Sequence, residues 1–430
     1  MCLKLQTFNY LCAMKFAKTK ILMLCLALFL VHTSRAQEGL LAAIDSLLAD
    51  SVWQTAQVGI CLYDVTADST IYAYNANQRM RPASTEKVIT AIAALDNLGP
   101  AHPFNTQLFV TGETINGVLQ GDLWVRGGMD PLFMTTDLQC ICDSLHAQGI
   151  DSITGRVCLD LSMKDSLQWG WGWCWDDDNY TLTPLLMERK PLEEMQLIEA
   201  LRAVGIHIAP AMRQQPAVVC PSNASPILLH STPLTAVLMP MMKESDNLHA
   251  ECVFYLLAAR SGRPWSGRKQ AVNLIQNTLR RAGVDPAMVQ VADGSGLSLY
   301  NYQTPYVLTR MLIYAAHNPT IYQALTHALP IAGVDGTLKT RMRGTAAAGN
   351  VRAKTGTVTG VTSLAGYATR PDDHLIAFAI IVNGLQKGAV GRTLQDDICT
   401  VICSKDFTPA CNLSAPSGLT NTHYTNNPKL

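Results

Sequence analysis

Runs of apolar residues near both ends of the chain predict two β-hairpins. The first joins residues 58–63 to 70–74, and the second joins residues 362–368 to 375–382, each across a short polar turn. Strands from both ends of a chain often belong to one sheet, with the middle supplying helices or an insertion. We therefore predict an α+β fold with a sheet built from both ends of the chain.

Helical spacing of apolar residues is clear in three segments. Residues 86–98 follow Ser84 and stop at a Gly-Pro pair, and residues 234–259 hold two apolar stretches around Ser245. Residues 266–282 are amphipathic and end in basic side chains, which suit the carboxyl end of a helix. We predict helices in all three segments.

The pattern changes between about residues 97 and 225, where short β-like runs replace the helical spacing. We interpret 97–225 as an inserted β-rich domain, which leaves 37–96 and 226–411 as the catalytic domain, and we expect a disordered tail at 412–430. A patch of tryptophans and aspartates occupies residues 169–178. Its alternation favours a strand with packed indoles over a sugar or peptide platform.

The first 36 residues have the pattern of a secretory signal peptide, with lysines, an apolar run at 21–31 and a small-x-small site ending at Ala36. The run is shorter than the roughly 20 residues that span a bilayer. Its removal takes away five basic and no acidic residues, so the formal net charge falls from zero to −5. We expect an exported, periplasmic protein, free or peripheral on the membrane, with no transmembrane anchor after cleavage.

Composition excludes several classes of protein. Hydrophobic residues make up 48% and charged residues 15%, which is globular rather than disordered or fibrous. Basic and acidic residues number 33 each and form no basic run, which disfavours nucleic acid as a partner. The thirteen cysteines leave open structural disulfides of unassigned pairing or small buried residues. The sequence holds no Cys-x-x-Cys pair and no His-Glu-x-x-His helix, so we predict no metal or cofactor.

Candidate chemistry begins with Ser84 and Lys87. Positions three apart on a helix face the same way, so the lysine amine can reach the serine oxygen. A serine nucleophile needs an adjacent base, and a lysine serves when burial or a nearby cation lowers its pKa. The helix amino terminus also favours an oxyanion there. Ser266 and Lys269 repeat the spacing, and an N-capping serine with a solvated lysine gives the same pattern, so the pair alone identifies no site.

Two further polar stretches distinguish between these pairs. Ser245 and Asn247 supply a hydroxyl and an amide. Residues 354–357, Lys-Thr-Gly-Thr, supply an ammonium, two hydroxyls and a glycine that admits a ligand close to the backbone. The order Ser-x-x-Lys, Ser-x-Asn, Lys-Thr-Gly matches the motif set of penicillin-binding proteins and serine β-lactamases. Only Ser84 fits that order, because Ser266 follows Ser245.

With these motifs the sequence resembles the class C low-molecular-mass penicillin-binding proteins, the D-alanyl-D-alanine carboxypeptidase/endopeptidase family of the peptidase S13 type. The resemblance covers most of residues 40–405. It implies a penicillin-recognising, serine transpeptidase-like fold, an α/β sandwich in which helices flank an antiparallel sheet. Five further stretches contribute to it: residues 81–84, 127–131, 231–234, 293–298 and 329–338.

The resemblance implies acyl transfer on peptidoglycan stem peptides, with β-lactam antibiotics as inhibitors. Ser84 would attack the carbonyl of the penultimate D-Ala, and Lys87 would accept its proton. Backbone N–H groups of Ser84 and Thr357 would form the oxyanion hole. Ser245 would relay a proton to the leaving amine, while Asn247 would hold the substrate amide and orient Lys87.

The resemblance also implies that the third motif, residues 354–357, binds the substrate. Lys354 would attract the terminal carboxylate of the peptide and, as a nearby cation, would lower the pKa of Lys87. The hydroxyls of Thr355 and Thr357 would bind the same carboxylate, and Gly356 would admit the substrate to the strand edge.

Three other functions stay open. A serine β-lactamase shares the acylation step and differs in fast deacylation. A non-catalytic module that binds peptidoglycan or β-lactams needs no nucleophile, so the complete set of reactive side chains disfavours it. An esterase could use the same Ser–Lys pair. Carboxypeptidase and endopeptidase are also not separated, because both cleave after the same D-Ala and differ only in the leaving amine.

Overall fold

The computed structural model describes residues 38–177, 179–208 and 219–405. The expected signal peptide at 1–36 and the expected disordered tail at 412–430 lie outside these residues. Residues 38–48 form a helix, α1, within one unit of the chain, and Asp50–Ser404 form a second, compact unit.

The remaining elements belong to this second unit. The strands are β1 (Gln57–Asp64), β2 (Ser69–Tyr74), β3 (Pro103–Val110), β4 (Glu113–Ile115), β5 (Val118–Gln120), β6 (Leu123–Arg126), β7 (Ser152–Ile153), β8 (Val157–Asp160), β9 (Leu186–Met187), β10 (Lys190–Pro191), β11 (His207–Ile208), β12 (Ser225–Pro233), β13 (Arg352–Val358), β14 (Val361–Thr369) and β15 (Leu375–Asn383). The helices are α2 (Glu86–Leu98), α3 (Thr135–Ala147), α4 (Glu194–Ala203), α5 (Leu234–Lys243), α6 (Asn247–Ala259), α7 (Arg268–Arg281), α8 (Pro305–Ala316), α9 (Pro319–Ala328) and α10 (Gly388–Cys403).

A five-stranded antiparallel sheet, ordered β13-β14-β15-β1-β2, forms the framework of this unit. The first and last parts of the chain meet where β1 pairs with β15, with Gln57 opposite Asn383. Both predicted hairpins are present and share this sheet, which confirms the predicted construction from both ends. The edge strand is β13, which carries Lys354.

Helices cover both faces of the sheet. On β14, the hydroxyl of Tyr367 donates to the carbonyl of Leu312 on α8 at 2.7 Å. Thr362 of the same strand touches α10, because a Cβ built on Gly391 would lie 2.3 Å from the Thr362 hydroxyl oxygen. Side chains alternate between faces along a strand, so positions 362 and 367 point in opposite directions. With both faces covered, β14 and β15 are buried almost throughout.

The predicted helices are also present, and α2 lies at their centre. Every residue from Glu86 to Leu95 is buried, and α2 packs against α5, α6, α7 and α8. The predicted segment 234–259 forms α5 and α6 with a break between them. Ser245 lies in this break with a φ of +63°, which ends one helix and redirects the chain into the next.

Residues 103–233 contribute two four-stranded sheets, ordered β12-β3-β6-β8 and β11-β7-β5-β4. The helices α3 and α4 join them around a second apolar core, so the segment is less purely β than expected. The strand β12 continues past the expected boundary at residue 225 to Pro233. Because Asp50–Ser404 form one compact unit, the boundaries of an inserted domain stay a prediction.

The strand expected through the tryptophan patch is wrong. Residues 169–177 form turns and irregular backbone, and Gly172 has a φ of +80°, which reverses the chain where a strand would continue. Trp175 is 87% exposed, and Trp169 and Trp171 are about half exposed. The indoles therefore do not form a buried set. Asp178 lies outside the described residues.

The nine cysteines in the described part of the chain are free thiols, and seven of them are buried. They fit the alternative of small buried residues. Over the same residues, we find no helix that combines the length and the apolar character needed to cross a membrane.

Candidate active site

Ser84 lies at the amino end of α2, in the 3-10 turn Ala83–Thr85 that leads into the helix. Ala83 has a φ of +47°, a conformation that costs energy for a residue with a Cβ. The turn is tied to the sheet, because the Ser363 hydroxyl donates to the Pro82 carbonyl at 2.5 Å. The Thr85 hydroxyl donates to the same carbonyl at 2.7 Å. These bonds hold a strained turn that presents the Ser84 hydroxyl.

The Lys87 amine lies one helical turn further on and reaches Ser84. Its Nζ is 2.8 Å from Ser84 Oγ, 2.7 Å from Asn247 Oδ1 and 2.8 Å from the Ser295 carbonyl oxygen. The side chain is fully buried. Three oxygen atoms therefore fix the nitrogen beside the hydroxyl, as a nucleophile and its base require.

Burial lowers the pKa of Lys87 to about 8 from its ordinary value near 10.5. The carboxylates of Asp293 and Glu251 act in the opposite direction, because they favour the ammonium form. Burial, rather than the expected charge of Lys354, is the largest cause of this lowering. A useful fraction of the amine is therefore unprotonated near neutral pH.

Lys354 and Ser245 form a second amine–hydroxyl pair. Lys354 Nζ donates to Ser245 Oγ at 2.8 Å and to the Thr355 carbonyl at 2.7 Å. Burial, together with the charge of Lys87, holds the pKa of Lys354 well below its ordinary value. Because the charge of Lys87 acts on Lys354, we assign both pairs to one site.

The edge strand β13 borders this site. Thr355 is half-buried, its hydroxyl donates to that of Thr337 at 2.8 Å, and Thr357 is exposed. Gly356 lies against the Ser84 turn, because a Cβ built there would be 2.9 Å from the Ser84 nitrogen and 2.2 Å from Ser363 Oγ. The close approach of the strand to the nucleophile therefore requires glycine.

We expect Gly356→Ala to slow acylation by a fluorescent penicillin at least tenfold and to destabilise the fold by about 1–3 kcal/mol, as overpacking does. The added methyl must push β13 away from Ser84. Gly344→Ala is the control, because Gly344 has a φ of +73° but open space around a Cβ. It should lower the melting temperature and leave the acylation rate unchanged. Equal acylation rates in the two variants would contradict the expectation.

All the predicted site residues lie in this region, namely Ser84, Lys87, Ser245, Asn247, Lys354, Thr355, Gly356 and Thr357. The competing pair has a different environment. Ser266 is buried and donates to the Arg263 carbonyl at 2.9 Å, while Lys269 is exposed. Ser266 therefore acts in a local turn.

Ser295 and Thr337 also contact the predicted residues, although neither was among them. Ser295 contributes a backbone carbonyl, which no side-chain pattern can reveal. Thr337 contributes a hydroxyl from the 3-10 turn Gly336–Leu338. The only sequence signal for them is that they lie in the stretches 293–298 and 329–338, which carry part of the resemblance.

Buried carboxyl groups lie behind Lys87. Glu251 accepts hydrogen bonds from the backbone N–H groups of Gly294 and Ser295 at 3.1 and 2.9 Å. Burial raises the pKa of Glu251 to about 8, and it also raises that of Glu86 well above the ordinary value. Among the described residues, no group of three or more His, Cys, Asp or Glu side chains could hold a metal ion.

Comparisons with known proteins agree with this geometry. The chain is 26% identical over 453 aligned positions to the D-alanyl-D-alanine carboxypeptidase of Actinomadura sp. (strain R39), covering 83% of this chain and 82% of that protein. It is 30% identical over 376 positions to carboxypeptidase DacB of Mycolicibacterium smegmatis, covering 79% of each.

Solved structures of penicillin-binding protein 4 (dacB) from Haemophilus influenzae have the same fold. One superposes with a TM-score of 0.72 at 24% identity, over 83% of this chain and 99% of that chain. Another, complexed with a β-lactam, superposes with a TM-score of 0.66 at 26% identity, over 81% and 96%.

The family comparison covers most of the described chain. The model of the D-Ala-D-Ala carboxypeptidase 3 (S13) family matches residues 40–186 and 190–404, which include every residue of the site. The chain therefore belongs to the D-Ala-D-Ala carboxypeptidase 3 (S13) family.

Proposed function

We propose that this protein is a serine D-alanyl-D-alanine carboxypeptidase/endopeptidase that acts on peptidoglycan stem peptides through a Ser84 acyl-enzyme. The observation that carries the proposal is the contact of 2.8 Å between the Ser84 hydroxyl and the buried Lys87 amine. A module that only binds peptidoglycan has no use for such a pair.

Acylation follows from the placement of the base. Lys87 in its neutral form accepts the Ser84 proton as Oγ bonds to the carbonyl carbon of the penultimate D-Ala. The negative charge that develops on the carbonyl oxygen is held by the backbone N–H groups of Ser84 and Thr357. A lost donor in such a hole typically costs about 3 kcal/mol of barrier.

Collapse of the tetrahedral intermediate breaks the peptide C–N bond. The leaving amine takes a proton from the Ser245 hydroxyl, and the proton that Lys87 accepted from Ser84 replaces it. Asn247 holds the substrate amide during this transfer. Water then attacks the acyl carbon while Lys87 accepts its proton. As the ester bond to Oγ breaks, Lys87 returns this proton to Ser84, and the shortened peptide leaves with a free carboxyl group. No metal or cofactor takes part in these steps.

The substrate carboxylate binds at the β13 edge. Lys354 supplies positive charge there, and the Thr355 and Thr357 hydroxyls supply hydrogen bonds. Gly356 leaves room for the peptide to lie against the strand. β-Lactams carry a carboxylate and a strained amide in a similar arrangement, so we propose that they acylate Ser84 as inhibitors.

We also propose that the protein is exported and works in the periplasm, where peptidoglycan is accessible. The basic, apolar and small-x-small pattern of residues 1–36 supports this location.

The direct test uses a synthetic stem pentapeptide that ends in D-Ala-D-Ala. We expect the purified protein to release one D-Ala per peptide and to lose this activity after incubation with benzylpenicillin. A crosslinked dimer of stem peptides, assayed in parallel, separates endopeptidase from carboxypeptidase activity. No release from either substrate, together with rapid turnover of a chromogenic cephalosporin, would instead identify a β-lactamase.

A further inference from the structure

Two side chains from the segment 103–233 contact the two stretches that hold the Lys87 amine. Those stretches are the start of α6, where Asn247 accepts from Nζ, and the turn 293–298, where the Ser295 carbonyl accepts. Arg189 reaches the first stretch and Trp173 reaches the second. Neither residue belongs to the three motifs.

Arg189 lies in the tight turn between β9 and β10. Its guanidinium is 2.7 Å from Asp246 Oδ2 and also donates to the Tyr180 hydroxyl at 2.8 Å. The other carboxylate oxygen of Asp246 accepts from the backbone N–H of His249 at 3.0 Å and so caps α6. Asn247 is the first residue of α6, so the cap and the ion pair together fix the position of its amide.

Asp293 organises the turn that carries the Ser295 carbonyl. Its Oδ1 accepts from the Gly296 N–H at 2.8 Å, and its Oδ2 accepts from the Ser298 N–H at 2.7 Å. The indole N–H of Trp173 donates to the same Oδ2 at 2.9 Å. Asp293 is buried, so loss of the indole donor leaves a carboxylate oxygen less well satisfied and loosens the turn.

The position of these two acceptors decides where the Lys87 lone pair points. A neutral lysine amine has two N–H groups and one lone pair, whereas the ammonium has three N–H groups. When the Asn247 side-chain oxygen and the Ser295 carbonyl take the two N–H groups, the lone pair is left facing the Ser84 hydroxyl. Displacement of either acceptor allows the amine to turn away from that proton.

We propose that Arg189 and Trp173 are positioning residues, through which the segment 103–233 holds the Lys87 amine with its lone pair toward Ser84. This inference rests on the proposed function, because it gives the two residues a task only if Lys87 is the base. The segment then contributes to the acylation step itself, through groups that do not touch the substrate.

The ion pair between Arg189 and Asp246 also affects the pKa of Lys87. The charged and titratable groups that act on Lys87 are Glu86, Asp246, Glu251, Asp293 and Lys354. Asp246 favours the ammonium form, and Arg189 balances its charge. The His249 ring also faces Asp246, with Nδ1 2.9 Å from Oδ1. Removal of the guanidinium leaves the Asp246 charge less well balanced, which we expect to raise the pKa of Lys87. Since the base must be unprotonated, the acid limb of the acylation profile then moves to higher pH.

The experiment compares Arg189→Met, Arg189→Lys and Lys190→Met by their rates of acylation with a fluorescent penicillin from pH 6 to 9.5. Arg189→Met is expected to react about tenfold more slowly than wild type at pH 7, with an acid limb displaced upward by about one unit, since one pKa unit changes the free-amine fraction tenfold. Arg189→Lys should recover most of the rate. Lys190→Met, an exposed neighbour in the same hairpin, should match wild type.

Trp173→Phe and Trp175→Phe test the second contact in the same assay. Trp173→Phe keeps an aromatic ring and loses the N–H donor, so its acylation should slow several-fold. Trp175 is 87% exposed, and its replacement should have no effect on the rate. Equal rates in the two variants would overturn the role of Trp173.

Three results would overturn the role of Arg189: a wild-type rate in Arg189→Met, a loss that Arg189→Lys does not recover, or a loss without a displaced acid limb. If Arg189→Met melts far below wild type, Arg189→Gln replaces it, with the same expected rate and profile. A wild-type protein that is never acylated would sink the proposed function instead, so the two failures are distinct.

Discussion

A Ser84→Ala protein is expected to lose all covalent labelling by a fluorescent penicillin, while a Ser266→Ala protein labels as wild type does. The ester bond to the opened β-lactam forms only at a hydroxyl that has a base beside it. Ser84 has the Lys87 amine at 2.8 Å, whereas the Ser266 hydroxyl donates to a backbone carbonyl and lies buried. The measurement is fluorescence of the denatured protein on a gel, quantified per molecule.

Both variants should fold, which makes this comparison decisive. Alanine is compatible with the 3-10 turn at position 84, and Ser266→Ala removes a single hydrogen bond to a carbonyl, worth about 1 kcal/mol. Melting temperatures measured on the same preparations provide the control. Labelling that survives in Ser84→Ala, or that disappears in a folded Ser266→Ala protein, would require a different nucleophile.

Replacement of Lys87 by methionine is expected to slow acylation by about 10² to 10⁴-fold, the usual contribution of a general base. Methionine fills a similar volume in a fully buried position and carries no lone pair that can take the Ser84 proton. The rate is measured as the second-order constant for a reporter β-lactam. Lys269→Met is the matched control, since Lys269 has the same spacing from Ser266 and is exposed.

The pH dependence of the wild-type rate checks the state of this lysine. With a pKa of about 8, roughly one tenth of the Lys87 amine is free at pH 7, whereas an ordinary lysine would be free in well under 0.1% of molecules. The acylation rate should therefore rise about tenfold per pH unit below pH 8 and level off above it. A profile flat from pH 6 to 8 would show that a neutral Lys87 is not required.

The elements that sequence predicted correctly depend on short-range patterns. The apolar spacing after Ser84 identifies α2, and two pairs of apolar runs identify the hairpins β1–β2 and β14–β15. The motif residues could be named because each carries its chemistry in its own side chain. Their order along the chain was enough to prefer Ser84 to Ser266.

The contacts that sequence did not reveal join distant residues with no local pattern. Asp246 and Arg189 are ordinary charged residues in the sequence, and only the tertiary fold brings them within 2.7 Å. The Ser295 carbonyl is part of the backbone, which is the same at every position. In the tryptophan patch, the alternation suggested a strand, but Gly172 in the left-handed region turns the chain instead.

The pairing of β1 with β15 has a consequence for how this protein folds. Each hairpin can form early from neighbouring residues, but their union joins positions as far apart as Gln57 and Asn383, and closing so large a loop is slow. The Ser84 turn is hydrogen-bonded to Ser363 on β14 and lies against Gly356 on β13. Both strands come from the last part of the described chain. A chain in which β1 and β15 have not yet paired therefore lacks the framework that holds the Ser84 turn, and we expect it to be inactive.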